Sequence, residues 1–175
     1  GGNGIVHLTG GVGNDTLDGG PGGHKLLSGG AGDDSFILRD ADSDNSITIN
    51  EYTGLHGGEG TDTLHLQGTG QQLDLTAFTP GAISGFEIID LGSGNSLKIN
   101  AEAFAQATSG NTGDGHNTLI VSGDAASSVD LTDLLGDWIP GARQTINSVN
   151  YMEYTASHNS ETVTLLIQEE IWKIT

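Results

Sequence analysis

The feature of this chain that most restricts its fold is a nine-residue, glycine-rich repeat in its first half. The pattern is Gly-Gly-x-Gly-x-Asp-x-apolar-x, and three near-perfect copies begin at Gly10, Gly29 and Gly57. Glycine permits the positive φ of a tight turn, and the apolar residue two places after the acid points inward from a short strand. One repeat buries too little surface to fold alone, so the pattern predicts turns that stack on one another.

The three copies resemble the nonapeptide of the RTX, or hemolysin-type calcium-binding, repeat family. That resemblance implies a right-handed parallel β-roll, in which two nonapeptides form one coil and Ca²⁺ lies between the turns of adjacent coils. The metal ligands that it implies are the acids and turn glycines Asp15, Asp34, Asp62, Gly11, Gly13, Gly30, Gly32, Gly58 and Gly60.

The same resemblance implies which repeats stack. RTX repeats alternate sides, so the copy at Gly10 is expected to lie on the copy at Gly29, and their acids are expected to share one metal row that Asp62 resumes. Two weaker copies begin at Gly1 and Gly19, with Val6 and His24 at the acid position and Ser28 as one extra residue before the next copy. The opposite row is therefore expected to be empty or poorly occupied.

The charge balance restricts the partners. The chain has 23 acidic and five basic residues, for a formal net charge of −18. Nucleic acids and anionic membrane surfaces repel such a chain, whereas hard divalent cations neutralise it. A solvated acidic surface that favours solubility is the alternative. With no cysteine there is no thiolate metal site and no disulfide, and no run of 18 apolar residues predicts a membrane span.

The second half differs in composition, since 19 of the 29 glycines fall within the first 70 residues. We therefore expect an RTX β-roll over residues 1–70 and a β-rich domain, sandwich or solenoid-like, over 71–175, packed on the roll. Strands are predicted at 73–75, 83–91, 97–100 and 118–122. A short helix is predicted over 101–107, with Asn100 as its N-cap. Several of these stretches also resemble a module that follows the repeats in giant RTX adhesins.

Other side chains admit two interpretations. Asp40, Asp42 and Asp44 could form a ligand cluster or a solvated loop, and Asp114 and Asp124 could bind calcium or bond their own turns. Trp138 with Tyr154 could stack on sugars, although filling the core is favoured. The six histidines lack zinc-site spacing, and there is no nucleophile elbow, so the chain is not expected to be an enzyme.

These observations together predict a calcium-dependent folding and structural module of a secreted bacterial RTX adhesin. The resemblance implies that such a module acts outside the cell or on the bacterial surface, as part of a larger multidomain chain that supports adhesion. The alternatives are a calcium-assisted domain that binds a host or surface glycan or protein, and the non-catalytic tail of a secreted RTX enzyme.

Overall fold

The computed structural model of this protein describes residues 5–20, 24–40, 46–47, 52–109, 118–131, 138–171 and 173–174. Of these residues, 57% lie in strands and 7% in helices, so the chain is mainly β, as predicted. The strands are β1 (Val6–Val12), β2 (Thr16–Asp18), β3 (Lys25–Ala31), β4 (Ser35–Leu38), β5 (Ser46–Ile47), β6 (Tyr52–Glu59), β7 (Thr63–Leu66), β8 (Gln72–Asp74), β9 (Ile83–Ser84), β10 (Ile88–Asp90), β11 (Ser96–Lys98), β12 (Thr118–Ser122), β13 (Ser128–Asp130), β14 (Ile139–Ile146), β15 (Val149–His158), β16 (Glu161–Gln168) and β17 (Lys173–Ile174). A 3-10 turn spans Leu75–Ala77, and helix α1 spans Ala101–Ala107.

The strands form three sheets. Sheet A has the order β1-β3-β6-β9, sheet B the order β2-β4-β7-β10-β12-β16-β15-β14, and sheet C the order β5-β8-β11-β13-β17. From β1 to β4 the chain alternates between sheets A and B, from β4 to β11 it passes through B, C and A in turn, and the described strands after α1 lie in sheets B and C. Strands from successive passes pair in parallel. Among the described strands, the antiparallel pairs are β14–β15 and β15–β16, and because β16 also pairs in parallel with β12, sheet B is a mixed sheet.

The glycine-rich repeats stack in register. Gly11 pairs with Gly30 and Gly30 with Gly58 in sheet A. In sheet B, the residues that follow the repeat acids pair in the order Thr16, Ser35 and Thr63. The prediction that the copy at Gly10 lies on the copy at Gly29 is therefore confirmed.

The predicted position of the extra residue is wrong. Val6 pairs with Lys25, at the same offset as Gly11 with Gly30, so the insertion precedes Lys25 and does not fall at Ser28. Lys25, and not His24, consequently lies in register with Val6. The Lys25 side chain is buried and its Nζ lies 4.6 Å from the centroid of the Tyr52 ring, a cation–π contact that helps to accommodate the buried charge.

The core lies between the three sheets. Its most regular part is a column of inward-facing residues on sheet B, each stacked on the next through the strand register: Leu17, Phe36, Leu64, Ile89, Val121 and Ile167. All six are buried, and full burial of such a side chain stabilises a fold by about 1.5–3 kcal/mol. The buried apolar residues other than Tyr151 and Leu166 form one cluster, and the pairing of β7 with β10 joins residues on both sides of the predicted boundary at 70/71.

In the second half, the strand predicted over residues 83–91 is divided in two, and the predicted helix is present. Residues 83–91 were predicted as a single strand, but Gly85, at a φ of 74°, divides them into β9 in sheet A and β10 in sheet B. The helix prediction is confirmed, since the Asn100 side chain accepts a hydrogen bond from the Ala103 N–H at 2.8 Å. Helix α1 lies next to β9, the last strand of sheet A, and the Phe86 N–H after β9 donates to the Ala107 carbonyl.

Sheet B ends in two tight hairpins. Ile146 pairs with Val149 and His158 with Glu161, so each connection has two residues. The connecting residues are Asn147-Ser148 and Asn159-Ser160, and all four have positive φ. Two successive positive φ values define a type I′ turn, whose twist matches that of the paired strands. Asparagine tolerates this conformation better than most residues, which explains its place at the first position of each turn.

Candidate metal centre

Four carboxylates line up where the chain enters sheet B. We call Asp15, Asp34, Asp62 and Glu87 the acid row; each directly precedes a strand, and those strands, β2, β4, β7 and β10, are neighbours in the sheet. The register Thr16–Ser35–Thr63–Ile88 therefore stacks the four acids. Asp15 is half-buried, whereas Asp34, Asp62 and Glu87 are only 2%, 0% and 8% exposed.

One oxygen of each inner acid holds the preceding turn. The Asp15 N–H donates to Asp34 Oδ1 at 2.8 Å, and the Asp34 N–H donates to Asp62 Oδ1 at 2.8 Å. The Asp62 N–H donates to Glu87 Oε2 at 2.6 Å. A hydrogen bond from a backbone N–H to a carboxylate is stronger than one between two neutral groups. The acid row therefore stabilises the stacking of each turn on the next.

The second oxygen of the three aspartates has no such partner. Oδ2 of Asp15, Asp34 and Asp62 is buried and accepts no hydrogen bond. A buried, unpaired acceptor costs about 1–3 kcal/mol, and more when it is charged. Native structures rarely keep such a group without a reason, so any function suggested for this row has to account for three of them.

The glycines bring further oxygens to the same points. If Gly29 carried a Cβ atom, that atom would lie within 3.0 Å of Asp34 Oδ2 and of the Gly57 carbonyl oxygen from the next turn. A Cβ on Gly10 would likewise meet Asp15 Oδ2 and the Gly29 carbonyl oxygen. Beside each of these two glycines there is thus one carboxylate oxygen and one carbonyl oxygen. Oxygen ligands of these two kinds suit a hard cation.

The turn glycines that the sequence singles out share one conformation. Their φ values lie between 102° and 129°, where an L side chain is strained, for Gly11, Gly13, Gly30, Gly32, Gly58 and Gly60. A Cβ on Gly30 would overlap the Gly11 carbonyl oxygen, and one on Gly58 would overlap that of Gly30. At Gly30 and Gly58 the turns therefore stack too closely for any residue other than glycine, whereas at Gly11 only the positive φ favours glycine.

Burial, and after it charge repulsion within the row, disfavours the ionised form of Asp62. Burial, followed by the negative charges of Asp34, Glu87 and Asp33, raises the pKa of Asp62 from 3.8 to about 7, against the lowering effect of the hydrogen bond from the Asp34 N–H. The protein alone thus disfavours the charged form of this carboxylate. A bound cation would reverse that preference.

A second polar ladder runs along the exposed side of the turns. Asn14 Oδ1 accepts from the Asp33 N–H at 2.9 Å, and Asp33 Oδ1 accepts from the Thr61 N–H at 2.9 Å. In this ladder the side chain accepts from the following turn, whereas in the acid row it accepts from the preceding one. Each turn is therefore fastened to both neighbours, and the exposed Asp33 serves as a comparison for the buried acids.

Asp124 behaves as a turn residue. Hydrogen bonds from the Ser93 hydroxyl, the Gly94 and Ala126 N–H groups and the Ser127 hydroxyl lower the pKa of this carboxyl to about 2. Its oxygens are thus occupied by the protein, in agreement with the turn interpretation. Asp114, Asp42 and Asp44 lie outside the described residues, and the Asp40 N–H donates to the Gln71 side chain at 2.8 Å.

Trp138 packs against the core. Its ring meets that of Phe104 edge-on at 5.9 Å between centroids, and Tyr154 packs on the same core cluster. This placement agrees with the core interpretation that the sequence favoured. A sugar platform would instead expose an aromatic face to solvent.

Among the described residues, no three or more His, Cys, Asp or Glu side chains are grouped so as to hold a metal ion. A cation in the acid row would therefore take many of its ligands from backbone carbonyls, which Ca²⁺ readily accepts. Sequence reasoning missed Glu87, because it lies outside the nonapeptides. The available signal was Glu87-Ile88-Ile89, which repeats the acid-x-apolar order of the repeats.

Comparison of the chain with family models, with curated proteins and with solved structures finds no match. Within the described ranges, no helix has the length and apolar character needed to cross a membrane. The candidate site is the acid row, because it stacks four carboxylates and leaves three buried oxygens without a hydrogen-bond partner.

Proposed function

We propose that this chain is a calcium-dependent β-roll module of the RTX type, with Ca²⁺ bound along the acid row between stacked turns. The observation that carries this proposal is the set of three stacked aspartates, each with one buried oxygen that lacks a hydrogen-bond partner. Asp15, Asp34 and Asp62 would supply carboxylate oxygens, and the glycine turns would supply carbonyls. When bound, the ion supplies the positive charge that neutralises these buried carboxylates.

Binding in such a site is coupled to folding. Without the ion, adjacent carboxylates repel one another, and the burial of their unpaired oxygens opposes stacking of the turns. With the ion, the same contacts become favourable, so the free energy of binding adds to the free energy of folding. The formal net charge of −18 and the absence of cysteine are consistent with a fold that uses a metal ion in place of a disulfide.

The biological role follows as part of the same proposal. A module that folds only when calcium is abundant stays unfolded where calcium is scarce and folds after secretion. We propose that it serves as a structural segment of a larger bacterial adhesin at the cell surface, without catalysis of its own.

Thermal unfolding followed by far-UV circular dichroism tests this proposal, in saturating calcium and in excess chelator. We expect a clear rise in melting temperature with calcium for the wild type, and a much smaller rise for Asp34→Asn. The amide keeps an acceptor for the Asp15 N–H but loses the negative charge. Asp33→Asn is the matched control, since it removes an exposed charge from the adjacent position. Equal melting curves for the wild type with calcium and with chelator would refute the proposal.

A further inference from the structure

The outer face of sheet C carries a trough between two rows of polar side chains. Strands β8, β11 and β13 pair in parallel, and the middle residue of each, Leu73, Leu97 or Val129, is buried in the core. The residues on either side of it point outward, so they form two rows along the stack. The trough between the rows measures about 370 Å³. Its rows are Gln72, Ser96 and Ser128, and Asp74, Lys98 and Asp130.

The charged row of this sheet C trough places a cation between two anions. The register puts Lys98 between Asp74 on one neighbouring strand and Asp130 on the other. Lys98 Nζ lies 3.5 Å from Asp74 Oδ2. Asp74 is itself held in place, because its Oδ1 accepts from the Thr76 N–H at 2.9 Å and from the Thr76 hydroxyl at 2.5 Å. A carboxylate and an ammonium group are therefore positioned side by side before any ligand binds.

The charges of the trough favour a neutral ligand. An anion is repelled by the two carboxylates and by the net charge of −18, whereas a bare cation is repelled by Lys98 between the carboxylates. The side chains offer hydrogen bonds of both kinds, since the ammonium group donates, the carboxylates accept, and the hydroxyl and amide groups do both. The matching ligand is uncharged and carries many hydroxyl groups, each of which can donate and accept.

We propose that the sheet C trough binds a neutral oligosaccharide, which lies along the stack across β8, β11 and β13. Of two adjacent sugar hydroxyls, one donates to the Asp74 carboxylate and the other accepts from the Lys98 ammonium group, and both hydrogen bonds are charge-assisted. Neighbouring strands lie about 4.8 Å apart, so the three strands offer contacts over roughly 10 Å. This site adds a ligand to the proposed structural role and uses no residue of the acid row.

Amide NMR spectra of the isotope-labelled 175-residue chain, titrated with neutral trisaccharides in saturating calcium, test the proposal. The probes are maltotriose, cellotriose and mannotriose, and we expect at least one of them to bind with a Kd of roughly 1 mM or less. The amide signals that shift should belong to β8, β11 and β13. If none of these signals shifts at about 10 mM of any probe, or if the shifts are confined to other strands, the inference is overturned.

Two variants and a control link binding to the trough. Lys98→Met removes the ammonium group, and we expect it to bind the trisaccharide about tenfold more weakly. It should fold, because an exposed ion pair contributes only about 0–1 kcal/mol to stability. Arg143→Met is the matched control, since it removes the exposed basic partner of Glu169 on sheet B, and it should bind as the wild type does.

Ser96→Tyr fills the middle of the trough and should abolish binding, so it keeps the test decisive if Lys98→Met does not fold. Wild-type affinity in a folded Lys98→Met or Ser96→Tyr variant contradicts the inference. The proposed function fails separately, because a chain that binds a trisaccharide but melts alike in calcium and in chelator would refute the calcium proposal alone.

Discussion

Replacement of Asp62 by asparagine should stabilise the metal-free protein. The asparagine side chain keeps an oxygen to accept from the Asp34 N–H at 2.8 Å, but it brings no negative charge into a fully buried position beside Asp34 and Glu87. Most substitutions of buried, hydrogen-bonded residues destabilise a fold. A stabilising effect would therefore be informative about the charge of the row.

The raised pKa sets the magnitude and the pH dependence. Because burial raises the pKa of Asp62 from 3.8 to about 7, the folded state binds more protons than the unfolded state between these values, and stability falls as the pH rises through this window. At 1.36 kcal/mol per pKa unit, the charged form costs about 4 kcal/mol at about pH 8, and about 1.5 kcal/mol at about pH 5. Asp62→Asn removes that cost.

Thermal melts in excess chelator measure this effect. We expect the melting temperature of Asp62→Asn to exceed that of the wild type by roughly 10 °C at about pH 8, and by much less at about pH 5. In calcium at about 100 times the dissociation constant, the wild type gains about 2.7 kcal/mol from each site that the variant lacks, so the advantage shrinks. A variant that is less stable than the wild type in chelator at about pH 8, or an advantage that does not change with pH, would refute the reasoning.

Five further substitutions test the packing and the turns by chemical denaturation. Ser148→Gly and Ser160→Gly should each stabilise the chain by about 1 kcal/mol, because each serine now holds a positive φ; an unchanged unfolding midpoint would contradict this. Gly30→Ala should cost more than about 2 kcal/mol, since its Cβ would overlap the Gly11 carbonyl oxygen, whereas Gly11→Ala, whose Cβ meets nothing within 4 Å, should cost clearly less. Leu64→Ala should lower the free energy of unfolding by about 2–5 kcal/mol with and without calcium alike, and a loss confined to one condition would argue against a purely packing role.

The sequence predicts the stacked turns well, because their constraint is local. A glycine at positive φ and an apolar residue two places after an acid recur at fixed spacing, and these suffice to place Asp15, Asp34 and Asp62 in register. The cap of α1 is predicted for the same reason, since Asn100 bonds a backbone group only three residues away.

The sequence predicts poorly where the spacing between turns changes. Glu87 follows Asp62 by 25 residues and Asp62 follows Asp34 by 28, so no fixed period leads from one acid to the next. The division of residues 83–91 occurs at Gly85, whose φ is 74° and which lies against the turn at Gly57, a residue distant in sequence. The place of Glu87 in the acid row and the division of residues 83–91 both involve contacts between residues that are distant in sequence.

The parallel stacking of the turns also determines how the chain would respond to a pulling force. The hydrogen bonds between strands run along the stack, so tension along that axis loads them one after another instead of all at once. Each detached turn would release 19, 28 or 25 residues of chain, judged by the offsets between bonded acids. At roughly 3.4 Å per residue, these lengths correspond to extensions of about 65 Å, about 95 Å and about 85 Å. A segment with this architecture would lengthen in steps under load and dissipate mechanical work before its far end is disturbed.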